Sequence, residues 1–364
     1  MELSFIHTAD VHLCRNFDNI SISSKERELR RKELWEVFEK IIDLSMENDA
    51  DYLLIAGDLI CSRYAKLKDY QRICEKLKTL QNTKVIIAAG NNDPLKDGSY
   101  YNIIDWPPNV YIIKEKAKLQ KIEIEEDNLC IYGASIDDLG SDFRINEILD
   151  VEIDKSKINI LVIHGGHENK NHTLYIDYKK LDKFDYCALG HVHDHTEIKE
   201  NIVYPGTPEP LDYSEEGKRG VLMGKVGKNI IFKIFIPLSK RKFITKEVYM
   251  QKDYSKEKIL DIIKYSGNID SLSKDYYRIV LSGELNKDIR INKIKQEAEK
   301  YFRHIEFIEN FNYVLDLKNI QKENENNLIG RYINETSKIT VKPLELQKSI
   351  LMVIEELSKE KVDS

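Results

Sequence analysis

Leu3-Ser4-Phe5-Ile6-His7-Thr8-Ala9-Asp10-Val11-His12 sets the pattern of this chain: a short apolar run ends in a carboxylate and an imidazole two residues apart. The run reads as a buried strand. Taken alone, Asp10 reads as a turn residue and His12 as a surface histidine. Working outward, the pattern recurs. Leu34, Val37, Phe38, Ile41 and Leu44 share one face of a helix predicted over residues 25–48. A second strand, Asp51 to Ala56, ends at Gly57-Asp58. A helix over 68–80 leads to a third strand, Lys84 to Ala89, which ends at Gly90-Asn91-Asn92-Asp93-Pro94. Strand, helix, strand, helix, strand is the alternation of a mostly parallel sheet. Such sheets bind ligands beyond the carboxyl ends of their strands. Asp10, His12, Asp58 and Asn91 all fall there.

Residues 110–165 read as β-rich, with Val110 to Lys114, Lys121 to Glu125 and Leu129 to Gly133 expected as antiparallel strands of a second sheet. Ile158 to Ile163 ends at His164-Gly165-Gly166-His167, and Phe184 to Leu189 ends at Gly190-His191-Val192-His193. An extended backbone there would project both imidazoles from one face. Ile202 to Tyr204 and Gly220 to Ile236 continue as strands, separated by the rigid loop Tyr204-Pro205-Gly206-Thr207-Pro208-Glu209-Pro210. After about Ser239 the character changes. Phe243 to Met250, Tyr276 to Ser282 and His304 to Glu309 read as strands, Ser255 to Tyr265 and Ile291 to Phe302 as helices, with no cluster of ligand-type residues. The expected division is a catalytic domain over 1–238, a small α+β cap domain over 239–318 and a helical tail over 319–364. The tail closes in a helix from Pro343 to Lys359 whose apolar stripe packs on its own protein or on a partner.

The chain has 364 residues, of which 41% are hydrophobic and 32% charged, and a net charge of −6. This composition argues against a free-standing basic nucleic-acid binder, whose affinity rests on Lys and Arg neutralising phosphates. Five scattered cysteines without a Cys-x-x-Cys pair read as reduced thiols. No leader, no membrane span and a cytoplasmic location are expected.

Oxygen and nitrogen donors without thiolate suit Mn, Fe or Zn, and two such ions a few ångströms apart can clamp a phosphate. The ordered set Asp10-Val11-His12, Gly57-Asp58, Gly90-Asn91-Asn92-Asp93, His164 and Gly190-His191-Val192-His193 resembles the signature of the calcineurin-like metallophosphoesterases. The stretches around Asp10, Asp58 and His191, with the Tyr204 to Leu211 loop, look like the SbcD-type and YhaO-like DNA repair nucleases within that superfamily. The resemblance is strong over residues 1–225. It implies an α/β four-layer sandwich of two mixed sheets flanked by helices. It implies that Asp10, His12 and His193 hold one ion, that Asn91, His164 and His191 hold a second, and that Asp58 bridges them. Two Mn(II) are expected, with Fe or Zn as alternatives.

Two positions depart from the family pattern. Asn92 stands where relatives carry a histidine that positions phosphate and protonates the leaving oxygen, and Cys61 replaces another histidine common in the nucleases. Asn92 and, as a substitute donor, His167 are the catalytic candidates. His172 and His195 read as accessory histidines, and Arg15 as a possible phosphate contact. The expected function is a metal-dependent DNA exo- or endonuclease subunit working with an SbcC-like coiled-coil ATPase, as a monomer or homodimer, with Lys218-Arg219 and Lys240-Arg241-Lys242 as candidate backbone contacts. A weakened metal- and DNA-binding scaffold and a small-substrate phosphoesterase are the alternatives.

Overall fold

A computed structural model describes residues 2–115, 118–137, 144–167, 172–286, 289–314 and, in the tail, 321–322, 324–325, 327–336, 338, 349–350 and 352–353. The chain forms two compact units, Met1–Lys242 and Phe243–Ser364. Most of the expected closing helix over 343–359 lies outside the described residues. Among the described residues, no helix is long and apolar enough to cross a membrane.

The first unit opens as the sequence pattern requires. Strand β1 (Glu2–Thr8) leads into helix α1 (Ser24–Glu47), β2 (Tyr52–Ala56), α2 (Leu67–Leu77) and β3 (Lys84–Ala88). The Ser23 hydroxyl caps α1 by accepting from the Glu26 amide. The strands lie parallel in the order β1, β2, β3, and then β4 (Val110–Ile112). On the other side of β1 lie β11 (Gly220–Gly227) and β12 (Ile230–Pro237), an antiparallel hairpin that completes a six-stranded mixed sheet.

The second six-stranded sheet runs β5 (Gln120–Ile124), β6 (Leu129–Ala134), β7 (Ile158–His164), β8 (Tyr186–Gly190), β10 (Ile202–Tyr204), β9 (Thr196–Lys199). Strands β6, β7 and β8 are parallel, and β5 and β9 close the edges antiparallel. The expectation for 110–114 fails in sheet and direction: β4 joins the first sheet, parallel to β3. The reason is Asn109. Its side-chain amide donates to the Leu77, Leu80 and Thr83 carbonyls, and its own carbonyl accepts from Val85. This anchors the chain beside β3 before β4 begins.

The two sheets pack face to face. Phe5, Leu54, Ala56, Ile86 and Ala88 of one interdigitate with Ile131, Ile160, Val162, Tyr186 and Ala188 of the other. The alternate residues Leu161, Ile163, Cys187 and Leu189 build a second core with Leu174, Ile176 and Leu181 on the outer face. A strand buried on both faces reads as an apolar run, as Ile160 to Ile163 of β7 does. The helix-flanked double sheet matches the sandwich expected from the motifs.

The second unit holds three parallel strands, β13 (Phe243–Met250), β14 (Tyr276–Asn286) and β15 (His304–Val314), joined through helices Lys256–Lys264 and Ile291–Ala298. Its own core includes Val248, Ile259, Ile263, Ile279, Leu281 and Ile294.

A buried ion network ties α1 to the loop after β10. Arg30 is fully buried and donates to Glu33, to Glu209 and to the Pro210 carbonyl, each at 2.6 Å. Glu209 also accepts from the Lys240 amide, and Glu33 from Arg241. Removing one partner of such a set leaves a buried charge unpaired. Arg30→Ala should therefore lower the unfolding free energy by about 3–5 kcal/mol in urea titration. Replacing Arg30 and Glu209 together by Met should recover much of that loss; equal losses from the single and double variants would contradict this account.

Candidate metal centre

The site lies where the parallel strands of both sheets end. Asp10 and His12 follow β1, Asp58 follows β2, Asn91 and Asn92 follow β3, His164 closes β7, and His191 and His193 follow β8. The backbone is bent sharply there. Asp10, His12, Asp58 and His191 have φ of 52°, 50°, 51° and 100°. A non-glycine residue held in that region costs about 1–3 kcal/mol, so the surroundings must impose it. They do so through a ladder that continues past the strands: Asp10 N donates to the Gly57 carbonyl, His12 N to that of Asp58, Leu13 N to that of Leu59, and Cys61 N back to that of Leu13.

Asp93 fixes the second half of this scaffold. Its buried carboxylate accepts from the amides of Gly90, Asp58, Leu59 and Ile60 and from the Tyr101 hydroxyl. Burial and the Asp58 charge push its pKa up to about 6. Two glycines allow the strand ends to meet. A Cβ on Gly57 (φ 88°) would stand 2.4 Å from His164 Nδ1, and one on Gly190 1.8 Å from the Ala56 carbonyl oxygen.

The histidine pair of Gly190-His191-Val192-His193 does not share a face. The strand stops at Gly190, His191 turns left-handed, and the two rings diverge. His191 packs edge-on against His164 with centroids 5.1 Å apart, whereas His193 Nε2 lies 3.3 Å from His12 Nε2. Two convergent sets result, Asp10/His12/His193 and Asp10/Asp58/His164. Asp58 stands between the histidines: its Oδ2 is 3.6 Å from His12 Nε2 and its Oδ1 3.8 Å from His164 Nε2. Asn91 Oδ1 lies 2.8 Å from His164 Nε2. The His164 Nδ1–H donates to the Ala56 carbonyl, which leaves the Nε2 lone pair facing the cluster. The structure thus brings all seven predicted ligand positions together.

The electrostatics call for a cation. Asp10 and Asp58 are buried within the same cluster. Burial, opposed by the His193 charge and reinforced by that of Asp58, pushes Asp10 up to about 8, and burial raises Asp58 as well. Asp10 Oδ1 is buried without a hydrogen-bond partner. Burial holds His12 well below the usual imidazole range and His164 at about 4, so both rings are neutral electron-pair donors. Two carboxylates, neutral imidazoles and an orphaned acceptor form a donor set that fits divalent metal.

Glu215 is the residue that sequence reasoning missed. The His193 Nδ1–H donates to Glu215 Oε1 at 2.5 Å, while Oε2 accepts from the Thr207 hydroxyl and the Leu211 amide, both at 2.9 Å. Burial pulls His193 down, but this bond and the Asp10 charge outweigh it and hold the ring at about 9. A carboxylate behind a ligating histidine fixes its orientation and strengthens its donor atom. The signal was one of position: Glu215 comes a few residues after the Tyr204 to Leu211 loop.

The remaining candidate residues engage partners of their own. The Asn92 amide N and Nδ2 donate to the two oxygens of Asp58. Cys61 is buried beneath His12, its Sγ 3.5 Å from Nδ1, and burial pushes the thiol up to about 12, so it is no imidazole substitute. His167 donates to the Ile176 carbonyl and stacks on Tyr178, and none of its described contacts is to the cluster. His172 accepts from the Leu174 amide, and His195 donates to the Tyr204 carbonyl and stacks on Phe235. Lys240, Arg241 and Arg219 are engaged by Glu36, Glu33 and Asp194 rather than free for phosphates.

Two outcomes follow for metal binding. Burial raises Asp10 and Asp58, and the Glu215 bond raises His193, so the cluster holds protons that a metal such as Mn(II) must displace to bind. Affinity should rise from pH 6.5 to 8.5, with proton release visible by calorimetry in buffers of different ionisation enthalpy; a pH-independent affinity would contradict the charge assignment. Glu215→Gln should weaken metal binding by about 10–100-fold in the same titration while the fold, followed by circular dichroism, is retained.

A family model described as calcineurin-like phosphoesterase matches residues 3–195, which include every ligand position above. The uncharacterized metallophosphoesterase YhaO of Bacillus subtilis (strain 168) is 26% identical over 238 residues, covering 60% of this chain and 56% of that protein. The chain thus spans little more than half the length of this curated relative. The crystal structure of TT1561 of Thermus thermophilus matches with a TM-score of 0.38 at 12% identity, covering 65% of this chain and 99% of that one. With more than half its length matched and the aspartate–histidine cluster inside the match, the chain belongs to the calcineurin-like phosphoesterases, a family of metal-dependent phosphoester hydrolases.

Proposed function

We propose that the chain is a dinuclear-metal phosphodiesterase acting on DNA, and that its working metal is Mn(II), with Fe or Zn as the alternatives. The observation that carries the dinuclear reading is Asp58, whose two oxygens face His12 on one side and His164 on the other. In this reading Asp10, His12 and His193 hold one ion, Asn91, His164 and His191 hold the other, and Asp58 joins them. Bound there, the ions would neutralise phosphate oxygens and make water a nucleophile near neutral pH.

The chain's own residues orient this centre. Glu215 sets the His193 tautomer, the Ala56 carbonyl sets that of His164, and Asp93 holds the Asp58 turn. Support for DNA as the substrate is the resemblance of the strand-end motifs and the Tyr204 to Leu211 loop to SbcD-type nucleases. The same resemblance supports an SbcC-like coiled-coil ATPase as the partner.

A second reading is favoured by Asn92. Its amide N and Nδ2 brace Asp58, and an amide cannot give a proton to a leaving alkoxide near pH 7. Such a site would turn over esters with good leaving groups and cut DNA slowly. Mn(II)-dependent hydrolysis of single-stranded DNA, double-stranded DNA and bis-p-nitrophenyl phosphate separates the two. If the missing acid limits the reaction, Asn92→His should raise DNA cleavage by about 10²–10⁴-fold and change the activated ester little. Robust native cleavage of DNA that Asn92→His leaves unchanged would remove Asn92 from the account. Hydrolysis of the activated ester alone by both proteins would point to a small substrate instead.

A further inference from the structure

We propose that Arg15 is the phosphate anchor of this site, its guanidinium holding the non-bridging oxygens of a phosphodiester, or of inorganic phosphate, beside the Asp10/His12/Asp58 cluster. This rests on the phosphodiester reading above and names the group that grips the substrate.

The first argument is placement. The Arg15 amide donates to the His12 carbonyl at 3.1 Å, which closes the turn after the ligand pair. Cys14 between them is left-handed, with φ of 66°, so the side chains of Cys14 and Arg15 diverge. Cys14 faces Asp69, Arg72 and Arg31. Arg15 itself lies close enough to His12, and to Cys61 beneath that ring, for its charge to reach both.

The second argument is what Arg15 lacks. It is half-buried, and its Nε is buried with no hydrogen-bond partner. The fully buried arginines of this unit are paired, Arg30 with Glu33 and Glu209, and Arg219 with Asp194. Arg15 has no ion pair among the described residues. The carboxylate that feels its charge, Asp212, is already bound by Asn19 and Ser214. Arg27 shares the orphan Nε, but its charge acts on Asp18, away from the cluster. A planar fork of donors with no protein acceptor matches a phosphate, which offers several oxygens to one guanidinium.

The third argument is the absence of a rival. Asn92, at the position where relatives keep a phosphate-directed histidine, turns its backbone N–H and one Nδ2–H to Asp58 and its backbone carbonyl to Ser62. What it has left for a phosphate is a single neutral amide N–H, without the charge of a guanidinium.

The test is calorimetric binding of inorganic phosphate to the full chain preloaded with Mn(II), run alongside bis-p-nitrophenyl phosphate kinetics and a count of bound metal. Arg15→Gln should bind phosphate roughly tenfold to a hundredfold more weakly, raise KM in parallel and still bind native amounts of metal. Arg15→Lys should recover part of the loss, because the charge returns without the fork. Phosphate affinity in Arg15→Gln within twofold of native, at unchanged metal content, overturns the anchor, and so does a metal-loaded native protein that binds no phosphate. If the native protein binds phosphate through Arg15 but hydrolyses no ester, the anchor stands and the enzymatic reading falls.

Discussion

Two carboxylates, Asp10 and Asp58, are shut away from water within one cluster, with no arginine or lysine among the described residues bound to either. Such carboxylates are costly to keep ionised and are driven to take up a proton. Much of the surrounding architecture serves to hold this arrangement. The ladder past the strand ends fixes left-handed turns at Asp10, His12 and Asp58, and Asp93 gathers four amides and a phenol to brace the turn opposite. Gly57 and Gly190 let the ends of the two sheets approach until His164 and the Ala56 carbonyl nearly touch them. A fold that only needed stability would have filled this space with apolar side chains. This one keeps a set of oxygen and nitrogen donors that suits a divalent ion.

Much of this was legible in the sequence because the relevant signals are local. An apolar strand that ends in Asp-x-His or Gly-Asp shows both the strand and what lies at its end, and the motif order arranges those ends on one edge. What stayed hidden depends on contacts between distant residues. The direction of β4 is set by Asn109 reaching three carbonyls, which no periodicity records. The split of His191 from His193 follows from one left-handed residue where an extended strand was expected. Glu215 looked like any surface glutamate in an acidic stretch, yet it is buried behind His193.

The departures at Asn92 and Cys61 also change meaning once their neighbours are known. As letters they are two lost histidines. As atoms they support other groups: Asn92 donates to both oxygens of the central carboxylate, and Cys61 fills the space under the His12 ring. Both side chains thus brace the aspartate–histidine cluster from behind.

The pairing of β1 with β11 bears on how the chain is made. Leu3 lies opposite Val226 and His7 opposite Leu222, so β1 leaves the ribosome ahead of a partner strand more than two hundred residues behind it. Until then the nascent sheet has an open, apolar edge beside β1, the kind of surface that recruits other chains. The Arg30–Glu209 ion pair imposes the same delay on α1. Vectorial synthesis thus leaves β1 without its second neighbour until nearly the whole first unit has emerged, and the contacts closing last have the longest sequence separation, the feature that slows folding most.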